Sequence, residues 1–128
     1  MKKIIKNVRI VNEGQRIEGD LLIVNGRIEK VGGIITSSEA TEVDGGGNFL
    51  LPGVIDDQVH FREPGLTHKG DLTSESRAAV AGGTTTFMEM PNTKPPALDQ
   101  GALQSKYDRA GEVSPANYSF FMGASNEN

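Results

Sequence analysis

Apolar positions fall in two different rhythms along this chain. Up to position 51 they come in short Ile/Val/Leu runs broken by glycine, which reads as β-strands. The pattern predicts strands at Lys3 to Val11, Asp20 to Asn25, Arg27 to Val31, Thr41 to Asp44 and Asn48 to Leu51. Asn25-Gly26 sits between two of them, and because both central positions of a tight hairpin turn need positive φ, this dipeptide is a strong hairpin signal. These strands are expected to form a small antiparallel unit over residues 1–51.

After Pro52-Gly53 the rhythm alternates strand and helix. Gly53 to Phe61 begins apolar and ends polar, as a strand does that delivers side chains to a site. Asp71 can cap a helix over Leu72 to Ala81, which Gly82-Gly83 stops. Thr84 to Met90 is a β-branched strand, and Leu98 to Ala110 has helical spacing with Gly111 expected to end it. Asn117 to Met122 is a third strand. Strand–helix–strand–helix–strand implies parallel strands joined by crossover helices. A (β/α)8 barrel takes about 250 residues, so 52–128 is enough for roughly two and a half of its units. The expected fold class is therefore α/β, a partial (β/α)8 TIM-like barrel preceded by a small antiparallel β-sandwich domain half. The chain is expected to be the N-terminal part of a longer one.

Composition narrows the function. The chain has 128 residues, a net charge of -4 and no clustered basic face, which argues against a nucleic-acid partner. It has no cysteine, so a metal would need His, carboxylate, amide or water ligands. Met1 to Ile5 carries two lysines without a following long apolar run, so neither a signal peptide nor a membrane span is expected, and a cytoplasmic location is.

The chemistry lies in Asp56-Asp57-Gln58-Val59-His60-Phe61-Arg62-Glu63-Pro64-Gly65. Period-two geometry predicts Asp56, Gln58, His60 and Arg62 on one face of a strand, with Val59 and Phe61 on the other. Imidazole is a good ligand for zinc and related ions, and a guanidinium can grip a carboxylate with two hydrogen bonds. Taken singly, each residue also has a plain structural reading: His60 as a hydrogen-bonded strand end, Arg62 as a surface ion pair, Asp56 as a brace, His68 as an exposed loop residue. Gly82-Gly83 matches a helix stop and no phosphate-binding pattern.

This run resembles the strand-one signature of the amidohydrolase superfamily, and of dihydroorotases in particular: Pro-Gly, a few residues, then Asp-x-His-x-His-Phe-Arg-Glu-Pro-Gly. Arg77-Ala78-Ala79, Ala81-Gly82-Gly83-Thr84-Thr85 and Met90-Pro91-Asn92-Thr93-Lys94-Pro95-Pro96 resemble the family's first helix, second strand and following loop. The resemblance implies zinc, one or two ions, with His60 as a ligand. Gln58 stands where the family has its first histidine, and a neutral amide is a weak zinc ligand. Arg62 matches the carboxylate-binding arginine and Asn92 the substrate-contacting asparagine. The implied activity is metal-dependent interconversion of dihydroorotate and N-carbamoyl-L-aspartate in pyrimidine biosynthesis. A general base is expected only beyond residue 128, so the 128 residues alone are expected to be inactive. The implied partner is the small-molecule substrate, in a possible homo-oligomer. Alternatives are a non-catalytic structural homologue, motivated by Gln58, and an allantoinase- or hydantoinase-type cyclic amidase, disfavoured by Arg62.

Overall fold

The computed structural model describes residues 1–126 and 128. It divides into two compact units, Met1–Pro52 and Gly53–Asn128.

The first unit is one five-stranded sheet. Strand β1 (Lys2–Asn12) pairs antiparallel with β2 (Gln15–Val24), which pairs antiparallel with β3 (Arg27–Val31). Both connections are two-residue turns with positive φ at each central residue: Glu13 and Gly14 at 49° and 72°, Asn25 and Gly26 at 50° and 78°. The second turn was expected from Asn-Gly; the first, built on Glu-Gly, was not, so β2 starts five residues earlier than its apolar run suggests. Strands β4 (Thr41–Asp44) and β5 (Phe49–Leu50) both lie parallel to β1 along its other edge. This corrects the expectation of a purely antiparallel unit. The connection from β3 to β4 is long enough to carry the chain back to the start of β1, and Gly45-Gly46-Gly47 makes no hairpin. It loops out of a continuing edge, with the N–H groups of Gly45 and Gly47 donating to the carbonyls of Lys6 and Asn7.

That edge loop faces a break in β1. The β1–β2 register shifts between Ile5 and Val8, where Asn7 has φ 54°. An extra residue reverses the alternation. Ile5, Val8 and Ile10 consequently share one cluster with Leu21, Ile23 and Leu50, although Ile5 and Val8 are three apart.

The second unit is a three-stranded parallel sheet in the order β6 (Val54–Val59), β7 (Thr84–Glu89), β8 (Asn117–Phe120). Helix α1 (Leu72–Ala81) connects β6 to β7, and α2 (Gln100–Val113) connects β7 to β8. Asp71 caps α1 by accepting the Ser74 N–H at 2.7 Å, while the Ser74 hydroxyl returns toward the Asp71 backbone. Asp99 caps α2 through the Ala102 N–H at 2.8 Å. Helix α2 does not stop at Gly111. It continues to Val113, because its C-terminus is set by Pro115: the residue before a proline is pushed out of helical conformation, and Ser114 has ψ 124°. The core joins Val59, Phe61, Leu72, Phe87, Ala110, Ala116 and Phe120. Phe87 is fully buried, 4.6 Å from the Phe61 ring and edge-on to Phe120.

Candidate functional site

Strand β6 ends at Val59, and the next six residues form a tip tied down from several directions. Val59 and Phe61 are buried in the core and His60 between them is exposed, so inward–outward alternation survives just past the strand. It does not extend to the whole expected row. The β6–β7 register shifts between Asp56 and Val59, and Arg62 lies in the left-handed region with φ 71°. Asp56, Gln58, His60 and Arg62 are therefore not one face set by strand geometry. Asp56 turns back on its own strand and accepts the Gln58 N–H at 3.1 Å.

The structure brings His60 and Asn92 together. His60 Nδ1 and Asn92 Oδ1 are 2.9 Å apart, across the loops that follow β6 and β7. In the tautomer that carries its proton on Nδ1, His60 donates to the Asn92 carbonyl oxygen, and Nε2 is then the nitrogen available to a metal or a donor. Gln58 is exposed in β6, and His68 is exposed in the following loop. Arg62 is half-buried, and among the described residues its guanidinium has no hydrogen-bond or ion-pair partner.

What fixes the backbone here was not anticipated. Glu89, at the end of β7, is fully buried, and its Oε1 accepts the N–H groups of both Phe61 and Arg62 at 3.1 Å. Its Oε2 lies 2.9 Å from Lys106 Nζ of α2, which is also buried. Burial pushes the Glu89 carboxyl above its ordinary pKa, against the pull of Lys106 and the two amides. One residue beyond Arg62, the Glu63 carboxylate accepts the Leu72 N–H at the start of α1 and Arg109 Nε of α2, each at 2.8 Å. Glu63 in turn raises the Arg109 pKa, chiefly through that hydrogen bond. The Pro64 carbonyl takes the Lys94 N–H at 3.1 Å, and a side chain at Gly65, whose φ is 81°, would collide with the Lys94 carbonyl. A signal for Glu89 existed in the sequence. It shares strand phase with Phe87, and a carboxylate at a core position needs a partner; Leu103, Lys106 and Ala110 lie on one helical stripe that can supply it.

The residues present do not fit a zinc ion by themselves. Among the described residues, no group of three or more His, Asp or Glu side chains is placed to hold a metal. His60 offers one imidazole nitrogen, and Gln58 only a neutral amide.

A fold of this kind, with a polar tip at the carboxyl end of its first parallel strand, matches hydrolases of known structure. L-hydantoinase (dihydropyrimidinase) from Arthrobacter aurescens superposes with a TM-score of 0.90 at 32% identity, covering 98% of this chain and 29% of that one. A D-hydantoinase gives 0.82 at 31% identity, covering 99% and 29%. Residues 47–122 match the dihydro-orotase-like family, and the chain belongs to it. Among curated relatives, the dihydroorotase of Trichlorobacter lovleyi is 44% identical over 82% of this chain and 25% of its own length. That of Aquifex aeolicus is 47% identical over 75% and 23%. The chain thus spans about a quarter of the curated relatives it matches.

Proposed function

We propose that this chain is the part of a dihydroorotase that carries the substrate-carboxylate grip, within a metal-dependent enzyme interconverting dihydroorotate and N-carbamoyl-L-aspartate. In this reading residues 1–51 belong to a small β domain, and 52–128 form the first β/α units of a (β/α)8 barrel. The whole protein works in the cytoplasm, with zinc as its cofactor and His60 as one ligand. Residues elsewhere in the enzyme would complete the zinc site, since the described residues here do not assemble one.

One observation carries the reading: a cation with a fixed backbone and no partner among the described residues, two residues from an exposed imidazole. A guanidinium with no partner among the described residues is free to grip an arriving carboxylate with two hydrogen bonds. Dihydroorotate brings a ring carboxylate; allantoin and hydantoins do not. Arg62 binds that carboxylate and orients the ring, and Asn92 holds the His60 ring in one tautomer beside it.

The full-length protein, assayed with added zinc, should hydrolyse dihydroorotate. Arg62→Ala should raise KM for dihydroorotate by roughly 10- to 100-fold, the worth of a charge-assisted hydrogen bond, with a smaller effect on carboxylate-free cyclic amides. Absence of turnover by folded full-length protein rules the reading out. Gln58 favours a second reading, a non-catalytic structural homologue. Metal analysis of the purified full-length protein separates the two, because a well-occupied zinc site argues for the enzyme.

A further inference from the structure

The Glu89–Lys106 pair has no part in the chemistry above. Both side chains are buried, so neither meets a substrate. Stability alone does not explain the pair either, since withdrawing two charges from water costs about as much as their attraction returns. What the pair does locally is specific. Strand β6 ends at Val59, so the next amides have no ladder partner on β7. Glu89 Oε1 collects the N–H groups of Phe61 and Arg62, both at 3.1 Å. Lys106 holds the carboxylate from the other side, 2.9 Å from Oε2, and its ammonium also donates to the Met90 carbonyl at 3.3 Å. The backbone held this way includes the left-handed Arg62, at φ 71°. A non-glycine residue stays in that region only where its surroundings over-determine it.

Resting on the functional reading above, we propose that Glu89, anchored by Lys106, is the positioning residue for Arg62: it fixes the left-handed turn from which the guanidinium reaches a substrate carboxylate. Two changes separate this role from a general contribution to folding. Glu89→Leu with Lys106→Met removes both charges together and keeps apolar bulk, so no unpaired ion is left buried. Glu89→Gln retains an acceptor oxygen for the two amides but strands the Lys106 charge.

The test uses the full-length protein with dihydroorotate as substrate, and hydrogen exchange at the Phe61 and Arg62 amides. In the double variant KM should rise by about 10-fold, the worth of one charge-assisted contact, with kcat nearly unchanged and both amides exchanging faster. Glu89→Gln should recover most of the KM while melting at a lower temperature. Added to Arg62→Ala, the double change should raise KM no further, because it acts through Arg62. The proposal is overturned if amide exchange is unaltered, if KM follows melting temperature so that Glu89→Gln is worst, or if the Arg62 and Glu89 effects simply multiply. If the wild-type protein has no turnover, the functional reading fails, and amide exchange alone decides whether Glu89 sets the turn.

Discussion

Asp20 shows how one buried carboxylate can hold two distant stretches of backbone. Its two oxygens accept the Asn7 N–H at the β1 bulge, 3.0 Å away, and the Ile35 N–H beyond β3, 2.8 Å away. These bonds, the one from Ile35 first, and the nearby Lys6 charge hold its pKa below the ordinary carboxylate value. The sign follows. A carboxyl with a lowered folded pKa stabilises fully above the unfolded value of 3.8, and this stability is lost as pH falls through the folded value. Thermal melts at pH 7 and pH 3 should therefore differ less for Asp20→Asn than for wild type, with the variant already weaker at pH 7. An unchanged pH difference would show that the two amide bonds do not supply the acid sensitivity.

The elements themselves were mostly readable, and the failures have local causes. Helix α1 has the predicted bounds because Asp71, the apolar spacing and Gly82 agree on them. Removing the cap by Asp71→Ala should lower stability by about 1 kcal/mol, measurable by denaturant titration; Asp99→Ala should do the same for α2. The start of β2 and the end of α2 were misjudged for opposite reasons. Glu13-Gly14 is a tight turn whose first residue is an unusual one for positive φ, whereas Gly111 is a glycine that stops nothing. Strand β6 is legible in the sequence, but its period-two alternation is broken by a register shift and a left-handed residue that no spacing rule announces. His60 and Asn92 were both singled out; that they hydrogen-bond to each other was not, because loop-to-loop contacts depend on tertiary folding.

At the scale of the molecule, the second unit is organised around one ring. Phe87 lies between Phe61 and Phe120 with no exposed surface. Phe87→Ala should cost about 3–5 kcal/mol and lower the midpoint of chemical unfolding, while an effect below about 1 kcal/mol would mean the core closes over the gap. No helix among the described residues is long and apolar enough to cross a membrane.

The ties on residues 61–65 have one more consequence. Glu63 joins this stretch to the beginning of one helix and the middle of another, while Pro64 and Gly65 lean on the neighbouring loop. A stretch moored at so many points behaves as a floor rather than a flap. Relaxation measurements on its amides should accordingly find no millisecond exchange.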